Sequence, residues 1–305
     1  MRVLVLAEKQ KVAMPFVDAM REKGIRASYL RLLKVSLVSK HNLTLIKALE
    51  ENIPKYDAVF LQARLSLTPF IEPLLEELTN QGIYVNAKPG SYFIGSNEPY
   101  KFVALASAGI KTPRTLVTGS VKNIERVSKK ISYPLLAKSF LGKNVQQSII
   151  VNNNKELASI VNSIKSNVDG FMLREFIDDC VVSCIVVGEK IFAITRKIND
   201  LCVIDLSKGI SYKPTEEEKQ NATRAANVCG YDIARVDMVR GRVVNVDPVI
   251  NIDAFNKVCS EKIEDHIANF FADQILKVGA KKNFTDELRD LKSAFSKTIF
   301  SRFFK

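Results

Sequence analysis

Between Arg2 and about residue 86, short β-branched apolar runs alternate with longer stretches in which apolar residues recur at helical spacing. The runs at 2–7, 27–30, 58–61 and 84–86 predict strands, and the periodic stretches at 11–23 and 69–81 predict helices. Strands separated by helices predict a small parallel α/β unit. No GxGxxG follows the first strand, which disfavours dinucleotide binding there. Residues 88–99, rich in Gly, Pro, Ser and Asn, predict a linker. A helix over 100–108 comes next, closed by Gly109, which tolerates the left-handed conformation that ends helices.

A strand-rich body follows, with strands predicted at 135–138, 149–151, 171–176, 181–187 and 190–196. Gly188 and Glu189 make the last two a hairpin. Thr215 and Glu218 have the spacing of a capping box, so a helix starts there and runs to about Val228, where Gly230 stops it. Strands at 232–239 and 242–247 are joined by a tight turn at Arg240 and Gly241, and a helix over 261–276 closes the body.

That pair of strands carries the most informative pattern. Ala234, Val236 and Met238 alternate as one apolar face, and Val244, Val246 and Pro248 as another. A register that joins the apolar sets leaves Asp237, Asn245 and Asp247 together on the opposite face. Two carboxylates and an amide oxygen are hard ligands suited to Mg²⁺ held together with nucleotide phosphates. The same alternation also describes the solvent-facing side of an ordinary antiparallel pair.

Composition narrows the chemistry. The first residues are too short an apolar run for a signal peptide, and no stretch approaches the ~20 apolar residues of a membrane span. A net charge of +12 invites nucleic acid, an acidic membrane or a phosphate-bearing substrate. The lysines are scattered, however, with no basic arm and no stacking aromatics, which favours a solvated surface and disfavours nucleic acid. The five cysteines are odd in number and form no CxxC pair, so a reducing, cytoplasmic setting fits and Cys180 and Cys184 are expected as buried thiols. His41 and His266, the only histidines, lie too far apart in sequence to favour a histidine-rich metal centre or a Ser/His/Asp triad. Carboxylates, amides and cations must do the work.

The segments SNEPYKFVALASAGIKTPRT, YPLLAKSFLGKNVQQSIIV, LREFI, VVGEKIFAITRK and YDIARVDMVRGRVVNVDP occur in the order and approximate spacing of the ATP-grasp family. The chain resembles most the ligases that add glutamate to a ribosomal protein, and their relatives in carrier-protein-linked lysine biosynthesis and coenzyme glutamylation. The resemblance implies an α/β N-terminal domain over 1–95 and ATP-grasp lobes of α+β type over 96–175 and 176–278; residues 279–305 lie beyond it and read as an amphipathic helix. It implies ATP bound by Lys101, Lys138, Gly142, Glu175, Phe176 and Ile177, with Arg196 near the phosphates as the catalytic basic residue. Asp237, Asn245 and Asp247 match magnesium positions. The implied reaction joins a carboxylate to an amine through an acylphosphate, with glutamate or another amino acid added to a protein or a small molecule.

Several positions depart from that family. Gly142 is followed by Lys143, Asn144, Val145, Gln146 and Gln147 where a glycine-rich loop is expected to close over the phosphates. An expected Asp-x-Arg falls on Val181, Val182 and Ser183, and an Arg-x-Asn on Val203, Ile204 and Asp205. The expected Glu-x-Asn reads Asn245-Val246-Asp247, which removes the long glutamate that bridges two metals and leaves one magnesium. These losses keep open a catalytically degenerate module that binds a nucleotide or a partner. Beyond residue 278, Phe284, Leu288, Leu291, Phe295, Ile299 and Phe303 form a helical stripe, expected to pack on the body or on a second subunit rather than on a membrane.

Overall fold

The computed structural model describes residues 1–41, 43–48, 51–52, 56–120, 123–141, 144–163, 168–197 and 208–280. Gly142, residues 203–205 and the C-terminal stripe, with the subunit contact expected of it, lie outside them. Two compact units emerge. The first holds Met1–Leu61, Glu77–Val85 and the helix residues from Glu264 on; the second holds Gln62–Glu76 and Asn86–Ile263.

In the first unit, strands β1 (Arg2–Ala7) and β2 (Arg26–Arg31) pair in parallel, joined by helix α1 (Gln10–Glu22). Ala13, Phe16, Val17 and Met20 give α1 one buried stripe. A Schellman motif ends it: Gly24, at φ +75°, donates to Arg21 O and Ile25 donates to Met20 O. Strands β3 (Val35–Lys40), β4 (Leu43–Ala48) and β5 (Glu51–Asn52) form a separate antiparallel sheet that the apolar pattern had not revealed. Strand β6 (Ala58–Gln62) lies beside β1, and β7 (Tyr84–Val85) pairs with β6 in parallel, giving the order β2-β1-β6-β7. Strand β6 is apolar almost throughout because it is buried along its whole length. Phe60 meets Phe16 edge-on at 4.9 Å and Phe271, from a helix over 263–280, at 5.3 Å.

Helix α2 (Thr68–Asn80) belongs to the second unit as far as Glu76. The glycine- and serine-rich stretch read as a linker instead folds into helix α3 (Ser91–Ser96), followed by α4 (Glu98–Ser107). Glu72 of α2 is the reason: its buried carboxylate accepts from the backbone N–H groups of Gly90, Tyr92 and Phe93 at 2.6, 2.6 and 3.0 Å. Gly, Ser and Asn therefore mark a capped helix start here, a role with the same composition as a linker.

Strands β8 (Thr115–Thr118), β9 (Leu135–Leu141), β10 (Asn144–Val151) and β11 (Gly170–Glu175) form an antiparallel sheet in the order β10-β9-β11-β8. Leu135, Ala137, Phe171 and Leu173 face a core that includes residues of α5 (Ile124–Ser128) and α6 (Asn154–Ser163). Alternation then sends Leu136, Lys138, Phe140, Met172 and Arg174 to the other face, where Phe102 of α4 packs on Phe140 and Met172.

The last sheet is antiparallel, in the order β14-β13-β12-β15-β16, from β12 (Val181–Val187), β13 (Lys190–Arg196), β14 (Ile210–Ser211), β15 (Ile233–Val239) and β16 (Arg242–Asp247). Between β14 and β15, helix α7 (Glu216–Val228) carries the full capping box between Thr215 and Glu218. Arg240 and Gly241 turn the last hairpin with φ of 47° and 69°, the pair of positive values that a twisted two-residue loop requires. Helix α8 (Asp253–Asn256) follows. Cys184 is buried in β12, whereas Cys180 is exposed, contrary to expectation, because it lies just before the strand. No helix among the described residues is long and apolar enough to cross a membrane.

Candidate active site

A cleft of about 270 Å³ opens on the face of the β9/β11 sheet that carries Lys138 and Arg174. Lys101, Glu175, Phe176 and Ile177 line it too, so five of the residues expected at a nucleotide come together. Arg196 does not join them. It lines a separate hollow of about 640 Å³ with its guanidinium carbon 5.2 Å from the centre of the Phe255 ring.

Lys101 reaches the cleft because α4 is anchored on both sides of it. The Asn97 side chain caps the helix by accepting from Tyr100 N, and Phe102 and Leu105 bury its inner face. The lysine is itself buried and donates to Asn245 Oδ1 at 3.3 Å. Burial lowers its pKa, against the opposing pull of Glu98, Cys229 and Asp247.

Glu98, one turn before Lys101, was not singled out in the sequence, yet it organises the cleft. Lys138 Nζ donates to both of its oxygens at 2.8 and 2.7 Å, and Arg174 donates to one at 3.2 Å. Burial pushes the Glu98 carboxyl up, but Lys138 and Arg174 together outweigh it and hold its pKa below the ordinary glutamate value. Arg174 is fixed further by Val244 O at 3.3 Å and by the Phe102 ring, 4.7 Å beneath it. Lys138 and Arg174 thus hold one carboxylate between them, and Lys101 adds its charge from the next turn of the helix. Spacing could have found Glu98, which lies three residues before the already suspected Lys101 on one helix.

Glu175 accepts from Arg242 at 2.8 Å and from Arg114 N at 3.3 Å. The backbone N–H groups of Glu175 and Phe176 donate to Arg114 O and Pro134 O, so both are engaged inside the protein. An adenine at this edge would be read by other groups, of which the Ile177 backbone is the nearest along the chain.

Asp237, Asn245 and Asp247 share one face of β15 and β16, as the alternation requires: Asp237 stands opposite Asn245, and Asp247 opposite Arg235. A bulge after Asp237 shifts the pairing so that Met238 meets Val243. Asp237 is fully buried; its Oδ1 accepts from Ser183 Oγ at 2.7 Å, and its Oδ2 from Arg235 Nε at 3.1 Å and Asn245 Nδ2 at 3.2 Å. Asp247 accepts from Arg235 at 3.2 Å and from Val249 N at 2.9 Å. Tested as a magnesium cage, this donor set does not fit as it stands, because the Arg235 guanidinium already lies between the two carboxylates and Lys101 holds the Asn245 oxygen. The described residues hold no cluster of three acidic, histidine or cysteine side chains placed for a metal. Ser183 occupies a position where the family resemblance led us to expect an arginine. Arg235 shares Asp237's face because it lies two residues before it on the strand.

Comparison with known proteins places this geometry. Residues 98–277 match the RimK-like ATP-grasp domain. A probable alpha-L-glutamate ligase of Mannheimia succiniciproducens is 25% identical over 198 residues, 62% of this chain and 66% of the relative, just under two thirds of that relative's length. A protein of the same description from Vibrio parahaemolyticus is 23% identical over 253 residues, 79% of this chain and 84% of the relative. Among solved structures, the ATP-grasp ligase PsnB complexed with minimal precursor, Mg and ADP superposes with a TM-score of 0.67 at 14% identity, covering 90% of this chain and 97% of that one. ATP-grasp ligases use ATP and Mg²⁺, and the cleft's three cations over apolar walls fit a nucleotide's phosphates. The parallel N-terminal sheet, the two antiparallel sheets of the second unit and the match over most of that unit lead to one conclusion: the chain belongs to the RimK-like ATP-grasp family.

Proposed function

We propose that the chain is an ATP-dependent carboxylate–amine ligase whose nucleotide sits in the cleft of Lys101, Lys138 and Arg174, between lobes spanning about 96–175 and 176–278. One observation carries this reading: three buried or half-buried cations from α4, β9 and β11 line one cleft, two of them held there by Glu98. ATP supplies the phosphoryl group that turns a carboxylate into an acylphosphate, which an amine then captures. The protein's part is electrostatic. Lys138 and Arg174 neutralise charge on the transferring group, and Phe102 and Leu136 keep bulk water from weakening them.

The second hollow supports an acidic substrate. Arg196, Lys197, Lys208 and Lys257 line it, and among the described residues no acid stands in its lining. Glutamate as the amine, and a carboxylate carried on a peptide or protein, follow the names of the relatives and the precursor-bound neighbour. The +12 charge is then attraction for acidic substrates rather than for nucleic acid. A cytoplasmic setting suits the four described cysteines, all free thiols.

One feature favours the rival reading of a non-catalytic module: Glu98 and Arg235 already satisfy the groups that a nucleotide and a metal would use. An ADP-release screen over amino acids and glutamate-ended peptides, with ATP and Mg²⁺, decides between them. Release that depends on both a carboxylate and an amine is expected. ATP binding without release under any pairing would favour the module.

A further inference from the structure

The Asp237 and Asp247 carboxylates are bridged by a cation that belongs to the chain. Arg235 Nε meets Asp237 Oδ2 at 3.1 Å while another nitrogen of the same guanidinium meets Asp247 Oδ2 at 3.2 Å. The third expected ligand, Asn245, turns its oxygen to Lys101 and its amide to Asp237. Two negative charges on this face are therefore matched by two positive ones. The bridge is rigid: the Arg235 side chain is 10% exposed, its planar fork fits two carboxylates, and the group does not deprotonate. Strand register enforces it, since Arg235 stands directly opposite Asp247 and two residues before Asp237.

We propose that Arg235 is a built-in cation standing in for a protein-held divalent metal between Asp237 and Asp247, so that Mg²⁺ enters the cleft only on the phosphates of the nucleotide. A hard divalent ion needs several oxygens with free lone pairs. Here it would have to expel a buried guanidinium and then sit beside its positive charge. The claim concerns the resting protein and stands whether or not the ligase reaction proceeds.

Mn²⁺, a hard ion that reports its own binding by electron paramagnetic resonance, tests this on the full chain without nucleotide. The wild type should bind no Mn²⁺ at this face, and Arg235→Ala should gain a single site at least tenfold tighter than anything in the parent, lost again in Arg235→Ala with Asp237→Asn. Removing Arg235 strands a buried carboxylate, so the variant could be unstable. The melting temperature then gives the answer: Mn²⁺ should raise it in Arg235→Ala and leave the wild type unchanged. Wild-type protein that binds Mn²⁺ without nucleotide, and loses it on Asp237→Asn, would overturn the proposal. So would an Arg235→Ala variant that neither binds Mn²⁺ nor is stabilised by it.

Discussion

Replacing Glu98 by glutamine should make the protein bind ATP more tightly. In the resting cleft both Glu98 oxygens accept from Lys138, at 2.8 and 2.7 Å, and one also accepts from Arg174 at 3.2 Å. A phosphate must take those cations away from a carboxylate that stays beside them, whereas the amide of Glu98→Gln keeps the shape and gives up the charge. A hydrogen bond to a charged group is worth about 1.5–3 kcal/mol net, so easing that competition should tighten binding roughly 10- to 150-fold. The cost appears elsewhere: Lys138 and Arg174 lose their counter-ion in a half-buried site, and the variant should melt earlier. Calorimetric titration of a non-hydrolysable ATP analogue into both proteins, with thermal denaturation alongside, reads both effects. Unchanged or weaker binding by a folded Glu98→Gln would refute the reasoning and make Glu98 a support that orients Lys138.

Lys138→Ala should weaken ATP binding by about tenfold or more, and Lys101→Ala by a similar or smaller factor, as measured by the same titration. Because the Glu98 pKa is depressed in the folded state, its contribution to stability is complete above the ordinary glutamate range and disappears as pH falls through its lowered value; denaturant melts from neutral into acid should show this loss in the wild type and less of it in Glu98→Gln. Thiol labelling followed by peptide mass analysis should find Cys180 modified first among the four described cysteines. Cys184 and Cys229 should react only on unfolding, since both are buried and burial pushes the Cys229 thiol up to about 11.

Much of the fold was legible because its strands and helices obey strong local rules. The β15–β16 face followed from the alternation of Val236, Asp237 and Met238, and the Thr215 capping box was written in the sequence. The β3–β5 sheet was not read because Val35, Leu37 and Leu45 make only brief alternations, and of those three only Val35 is buried. The supposed linker hid a helix because the acid that anchors it, Glu72, lies some twenty residues upstream, beyond any local pattern. In the site, five of the expected residues share one cleft, but their pairings could not be read. Nothing in spacing tells that Glu98 from α4 reaches Lys138 from β9, or that Ser183 reaches Asp237, since both contacts cross between elements. Arg235 was within reach of a stricter reading, because a cation two residues from an aspartate on a strand must share its face.

If this cleft carries phosphoryl transfer from ATP to a carboxylate, an oxygen atom of that carboxylate must end in the released phosphate. A glutamate-ended peptide labelled with heavy oxygen in its carboxylates would be incubated with the protein, ATP, Mg²⁺ and an amino acid that supports ADP release, and the released phosphate examined by mass spectrometry. Passage through an acylphosphate moves one carboxylate oxygen into that phosphate. The account predicts heavy oxygen in the phosphate from the wild type and little from Lys138→Ala; ADP release accompanied by unlabelled phosphate would contradict it.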